Sequence, residues 1–280
     1  MSLPNLVGCG AGKSGTTSLY YYLDQHPEIS MATVKETNFF SRHYQKGVEW
    51  YKSQFPAPKN TKIIGEFSTS YMLDPAVPGR IFTLIPESKL LFLFRDPVTR
   101  AYSNYWFSVS IGAQEADVSF SEVIHTEEGY QEYIKAGFYI EHLNRYLEYF
   151  DREQLFIMVT EDLQSSPISQ MVSCYGYLGV DDSFQPDIHQ RFNVTVTTSS
   201  KIKAKVDQSW LSIKKMIKPF FTWIPGKVRY RFSKTEQMIR SKVIADKRPA
   251  MPVEDKKFLN SVYREYNRRL EDFLDRELPW

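Results

Sequence analysis

The chain has 280 residues, 42% of them apolar, and a formal net charge of +2. That length carries one large α/β domain or two small ones with a real core, and the apolar share excludes a disordered chain. No apolar run approaches the roughly 18 residues that cross a bilayer. The opening Met1-Ser2-Leu3-Pro4-Asn5-Leu6-Val7 has neither the charged nor the long apolar region of a signal peptide. Two cysteines, Cys9 and Cys174, are too few for a disulfide framework or a zinc site, and are read as reduced thiols of a cytoplasmic protein. The small total charge hides an asymmetry. Residues 201–248 hold 14 Lys/Arg against 3 Asp/Glu, a local +11 that leaves −9 for the remainder. A basic segment on a near-neutral chain points to one anionic partner in one place, not to nucleic acid.

In chain order, residues 3–8 form a short apolar run, read as a strand. A glycine-rich turn follows, Gly8-Cys9-Gly10-Ala11-Gly12-Lys13-Ser14-Gly15-Thr16-Thr17. Residues 18–23 then read as a helix ending near His26-Pro27, since proline cannot continue it. Residues 62–67 read as a second strand. Residues 89–94 are apolar almost throughout, as in a strand buried on both faces of a parallel sheet. Pro97 suits a helix start, with the helix over 99–109. Apolar residues at 139, 140, 143, 146, 147 and 150 repeat with a helical period. A strand over 154–160, a helix over 168–178 and a closing helix over 258–274 complete the pattern. Strands alternating with helices imply a parallel sheet with helices on both faces.

A glycine-rich turn between strand and helix directs several backbone N–H groups into one concavity, where the helix dipole adds positive potential and Lys13 a full charge. That is a site for a phosphate or a similar tetrahedral anion. The triphosphate version of the loop, G-x-x-x-x-G-K-[ST], needs its first glycine at position 7. Val7 stands there, and Gly8 leaves the loop one residue short. The apolar run 90–94 is followed by Arg95, with Asp96 behind it. An arginine at that strand end suits a second phosphate better than a magnesium ion.

Lys13-Ser14-Gly15-Thr16-Thr17-Ser18-Leu19 resembles the 5′-phosphosulfate loop of sulfotransferases that use 3′-phosphoadenosine 5′-phosphosulfate (PAPS). Arg95-Asp96-Pro97-Val98-Thr99-Arg100-Ala101-Tyr102-Ser103-Asn104-Tyr105 resembles their 3′-phosphate motif. Lys35-Glu36-Thr37-Asn38-Phe39-Phe40 and Gly65-Glu66-Phe67-Ser68-Thr69-Ser70-Tyr71 are similar to the heparan-sulfate-type branch, and the end of the chain to bacterial members. The resemblance implies an α/β, three-layer P-loop-type fold with a central parallel sheet flanked by helices. It also implies a single domain over 1–280, with a basic, aromatic-rich lid or insertion at about 195–250. It places Lys13, Ser14, Gly15, Thr16, Thr17 and Ser18 on the 5′-phosphosulfate, and Arg95 and Ser103 on the 3′-phosphate. Glu36 becomes the general base and Lys13 the catalytic cation. Lys247 and Arg248 match a basic pair in a loop closing over the donor. No metal is expected, and 3′-phosphoadenosine 5′-phosphate (PAP) is the product.

Three departures bear on the acceptor and the compartment. Asn38 stands where many relatives have histidine, Phe67 where the heparan enzymes have lysine, and the basic loop lacks the cysteine pair of secretory-pathway relatives. The expected acceptor is therefore a hydroxyl, or less often a nitrogen, of a small molecule, with a glycan as the rival. A P-loop kinase and a non-catalytic nucleotide-binding protein are the rivals outside the class. Glu66 ends a strand near the mouth of the sheet and is read as a loop anchor, with a second acid/base role as the alternative. His26, His43, His125, His142 and His189 are scattered, with His43 the substitute base to test. Asn193-Val194-Thr195 has a glycosylation pattern but no secretory signal before it. Residues 201–242 mix bases with Trp210, Phe220, Phe221, Trp223, Tyr230 and Phe232. An acceptor or membrane-surface lid and helices with a solvated basic face over the donor's phosphates fit that mixture equally, with peripheral membrane contact not favoured.

Overall fold

The protein is described by a computed structural model over residues 2–56, 61–115, 117–188 and 249–280. Lys247, Arg248, His189, the Asn193 pattern and the basic segment lie outside the described residues. Five strands, β1 Leu6–Gly10, β2 Ile29–Met31, β3 Ile63–Phe67, β4 Lys89–Phe94 and β5 Leu155–Val159, make one sheet in the order β2-β3-β1-β4-β5. Every pairing is parallel. Between them run α1 Thr16–Asp24, α2 Gly47–Lys52, α3 Val77–Leu84, α4 Pro97–Ser110, the short α5 Phe120–Val123 and α6 Glu127–Gly129, α7 Tyr139–Leu147, α8 Thr160–Ser165 and α9 Pro167–Leu178. A long helix, α10 Val253–Leu274, ends the chain.

Alternation along the strands builds a core on each side. Leu90, Phe92 and Phe94 of β4 pack with Ile81 of α3, Leu143 and Tyr146 of α7 and Leu270 of α10. Leu91 and Leu93 point the other way, onto Leu19 and Leu23 of α1 and Met171 and Tyr175 of α9. A third cluster joins Val98 and Tyr102 of α4 to Phe120, Phe138 and Tyr263. Helices therefore cover both faces, as the alternating pattern implies. The chain crosses from β1 to β2 and β3 on one side, then to β4 and β5 on the other. The order reverses at β1, and in open α/β sheets the crevice beyond the carboxyl ends of the strands at such a reversal takes the ligand.

Several boundaries differ from the sequence reading. The first strand is Leu6–Gly10, not 3–8: Pro4 offers no N–H to a ladder, and the strand instead runs on into the glycine turn, where Ala11 N still donates to Leu93 O. The edge strand β2 has three residues, too few to show a period. The closing helix starts five residues earlier than 258, at Val253, immediately after Pro252. His26 is structural: its Nδ1 accepts from Glu28 N and its Nε2 meets Asp181 O at 2.8 Å. Cys9 and Cys174 are free and buried. No described helix is long and apolar enough to cross a membrane.

Gly8 in β1 faces the ring of Phe67 at the end of β3. A methyl on Gly8 would come within 2.2 Å of Phe67 Cδ2. The two strands close up only because position 8 has no side chain. Gly8→Ala should therefore destabilise the fold by about 1–3 kcal/mol, the usual cost of overpacking. Urea unfolding measures this, and an unchanged midpoint would show that the Phe67 ring has room to move.

Candidate active site

The turn after β1 lies at the reversal point of the strand order. Lys13 (φ 70°) and Gly15 (φ 86°) both adopt left-handed backbone, a conformation a non-glycine residue such as Lys13 rarely takes. Gly15 sits at the N-cap of α1, which has no side-chain cap and no acidic residue in its first turn. An uncapped helix start of this kind favours a negative charge beside it. Gly15 is exposed, Gly12, Lys13, Thr17 and Ser18 are partly so, while Ser14 and Thr16 are buried. The Thr160 hydroxyl at the start of α8 lies 2.7 Å from both Ser14 O and Phe94 O, tying the turn to the end of β4. The Lys13 ammonium rests over the Phe107 ring, 4.1 Å from its centre.

The second motif meets the first. Arg95 follows β4, and its Nη1 donates to Lys13 O at 3.2 Å. Its carbonyl accepts from the Tyr139 hydroxyl at 2.8 Å, and the Tyr139 ring stacks on Phe94. Asp96 does not face the turn; its carboxylate caps α4, accepting from Val98 N at 3.0 Å and Thr99 N at 3.3 Å. Arg95, Val98, Thr99, Tyr102, Met251 and Lys256 line a cleft of about 360 Å³ beside it. Ser103 is buried in α4, one turn before the Phe107 that carries Lys13.

Glu36 lies on the β3 side. Its backbone is left-handed (φ 67°), as is that of Asn38 (φ 50°). The strain is held by bonds to the β3 end: Glu36 N to Phe67 O at 3.0 Å, Asn38 N to Ser68 Oγ at 3.0 Å, and Ser70 Oγ to Asn38 Oδ1 at 2.6 Å. The Glu36 carboxylate is partly exposed and pairs with Lys35 Nζ at 2.7 Å. It also accepts from Thr69 N at 2.9 Å, and the Thr69 hydroxyl lies 3.1 Å from each carboxylate oxygen. Lys35 pairing was readable from adjacency. Thr69 and Phe107 were missed, because neither a threonine in a Ser-Thr-Ser run nor a phenylalanine on a helix carries a signal. His43 packs edge-on against Trp50.

Glu66 is an anchor, as its place in the sequence suggested. It is fully buried. It accepts from Thr37 Oγ1 at 2.5 Å, Tyr51 OH at 2.6 Å, Ser68 Oγ at 2.8 Å and Tyr71 OH at 2.8 Å. Burial pushes its carboxyl above the ordinary value of 4.5, against the pull of those hydroxyls.

Set against known sequences, residues 4–273 match the model of the sulfotransferase domain. The mouse bifunctional heparan sulfate N-deacetylase/N-sulfotransferase 4 is 31% identical over 98% of this chain and 30% of its own length. The membrane-associated sulfotransferase kil1 of Dictyostelium discoideum is 39% identical over 45% of this chain and 28% of its own. The chain thus spans about 30% of the length of the curated relatives it matches. The solved sulfotransferase of Alicyclobacillus acidocaldarius superposes with a TM-score of 0.72 at 23% identity, covering 99% of this chain and 98% of that one.

Removing the Glu66 carboxylate would strand four buried hydroxyls. Glu66→Ala should cost at least about 3 kcal/mol, and Glu66→Gln, which keeps the shape and one good acceptor, clearly less. Because the folded carboxyl titrates above its unfolded value, its contribution to stability is full below pH 4.5 and is lost as pH rises through the folded value. Chemical unfolding across pH should show this decline in the wild type and its absence in Glu66→Gln. A parallel pH profile in both would mean that Glu66 does not titrate differently on folding.

Proposed function

Since the chain belongs to the sulfotransferase domain family, we propose that it moves a sulfo group from PAPS to an acceptor hydroxyl or amine, releasing PAP. The observation that carries this reading is the bond from Arg95 to the carbonyl of Lys13. That bond brings the Arg95 guanidinium against the turn that precedes the uncapped start of α1, which supports two anion sites in one crevice, as a nucleotide with phosphate on both sides of its ribose requires.

Lys13 and the backbone of residues 14–18 hold the 5′-phosphosulfate, to which the partly exposed Thr17 and Ser18 add their hydroxyls. Arg95 and Ser103 hold the 3′-phosphate. Glu36 accepts the acceptor's proton as the acceptor oxygen or nitrogen bonds to sulfur. The sulfur–oxygen bond to the 5′-phosphate breaks, its electron pair stays on that phosphate oxygen, and Lys13 offsets the growing charge there. Lys13 and Arg95 supply the positive charge this chemistry needs without a metal.

The acceptor is read as a small molecule. Phe67 is buried against Gly8, so the position holds a core ring instead of a cation for a polyanionic chain. Phe107, partly exposed, presents an aromatic face beside Lys13. A glycan is the second reading, favoured by the heparan sulfate relative that aligns along 98% of this chain. The buried free thiols of Cys9 and Cys174 support a reducing, cytoplasmic setting.

PAP should raise the melting temperature without magnesium, and ATP far less. Stabilisation by ATP with magnesium and none by PAP would overturn the reading. Arg95→Ala should weaken PAP binding by about 1.5–3 kcal/mol, the scale of a lost charged hydrogen bond. Glu36→Gln should leave PAP affinity unchanged and lower turnover by about 10²–10⁴-fold. Full activity in that variant moves the base elsewhere, with His43 next. With PAPS as donor, 2-naphthol should be sulfated faster than a glucosaminyl tetrasaccharide, and the reverse order would establish the glycan.

A further inference from the structure

Thr69 opens the helical turn Thr69–Met72 that follows β3, and it lies between the two halves of the site. Its backbone N–H and hydroxyl hold the Glu36 carboxylate from one side. On the other, its Cβ and Oγ1 lie 3.9 Å from the point a side chain on Gly12 would occupy. One residue therefore spans the gap between the proposed base and the phosphate loop. We propose that Thr69 is a positioning residue for sulfo transfer: it aims the Glu36 carboxylate across Gly12, and Lys35 is the partner that gives way when the acceptor's O–H or N–H arrives. This rests on the reading of Glu36 as the proton acceptor.

The two contacts differ in kind. Lys35 reaches Glu36 through a four-carbon stem, its ammonium bonding one oxygen at 2.7 Å; that stem can rotate away without moving the backbone. The Thr69 N–H is part of the chain, and the Glu36 backbone is clamped to the same β3 end, so that contact stays. The hydroxyl adds a second donor from the same residue, and two donors from one rigid source define how the carboxylate is turned. Backbone amide alone leaves the group free to twist about its last torsion. An acceptor that replaces Lys35 at Oε1 still finds Oε2 held by the Thr69 N–H and the carboxylate braced by the Thr69 hydroxyl. The proton then leaves the acceptor oxygen or nitrogen for a carboxylate oxygen already in line, which is where orientation contributes most to rate.

The test compares Thr69→Ala, Thr69→Val and Thr69→Ser in the full chain, with PAP binding and with sulfation of 2-naphthol and the glucosaminyl tetrasaccharide from PAPS. Alanine and valine, which both lack the hydroxyl, should lower kcat by about 10–100-fold, with KM for PAPS and PAP affinity unchanged within about twofold. Serine should restore the rate to within about threefold of wild type. Thermal unfolding supplies a readout independent of turnover: the losses in Tm from Thr69→Val and Glu36→Gln should be less than additive when combined. A full-rate Thr69→Val with additive Tm losses would overturn the proposal. So would a loss of PAP affinity that matches the loss of rate, because Thr69 would then hold the loop and not the base. A wild-type chain that neither binds PAP nor sulfates either probe would defeat the functional reading, and the role of Thr69 with it. Wild-type turnover beside a full-rate Thr69→Val strikes the positioning role alone.

Discussion

A carboxylate removed from water has to be compensated by hydrogen bonds or it will not stay ionised or stay buried. Glu66 is in that position at the carboxyl end of β3, and its four hydroxyl donors come from both directions along the chain. Thr37 and Tyr51 lie upstream, Ser68 and Tyr71 downstream. The Tyr71 hydroxyl also accepts from Phe40 N. The segment that carries Glu36 is therefore hung on the end of a central strand instead of being a free loop. The same bonds bring Tyr51 face to face with Phe39 and Tyr71 edge-on to Phe40, so an aromatic layer backs the segment. The left-handed backbone at Glu36 and Asn38 is affordable because everything around it is over-determined.

The opposite side of the crevice is built from backbone. β1 ends in a turn whose left-handed Lys13 and Gly15 aim α1 outward, and Arg95 and Thr160 fasten that turn to the ends of β4 and β5. Arg95 is in turn seated by Tyr139 through its carbonyl. Three adjacent strands thus meet at this turn, and of these contacts only that of Arg95 runs through a long side chain. Preorganised donors of this kind do not have to reorganise when charge develops, which is why they serve phosphoryl- and sulfo-group chemistry. Thr69 against Gly12 marks the line where this cationic half meets the carboxylate half.

Much of this is legible in the sequence. The spacing of glycines at a strand–helix junction, an arginine directly after the apolar run 89–94, and the alternation of strands with helices led to the parallel sheet and to the meeting of residues 13 and 95. What stayed hidden is of another kind. β2 is three residues on an edge and has no period to detect. The burial of Ser14 follows from the packing of the turn onto β4 and Thr160, which no local pattern encodes. The hold of Thr69 on Glu36 joins two loop residues 33 apart in the chain by way of the end of β3. Glutamate beside lysine reads as a simple surface pair, and in part it is one; the threonine that fixes its direction becomes visible only when the strand end brings it across.

The acceptor question turns on where the positive charge near Glu36 resides. Gly8 and Phe67 are interlocked: the ring fills the space a side chain at position 8 would need, and the missing side chain gives the ring its place. A lysine at 67, as the heparan-type resemblance has, would have to leave that hole empty or turn its ammonium into the core. Position 67 is thus committed to packing here. The Lys35 ammonium lies 5.7 Å from the Phe67 ring centre, and it is already engaged with Glu36. A sulfated polymer gains affinity from cations fixed in a row and free to pair with it. Lys35 can pair with an acceptor anion only by releasing the carboxylate it holds, so each such contact trades one ion pair for another and adds little net attraction. A neutral hydroxyl or amine on an apolar body displaces the same ammonium without pairing with it, and meets the exposed Phe107 ring beside Lys13. Position 67 therefore adds no cation to the crevice, because the ring that lets β1 and β3 fit together occupies it.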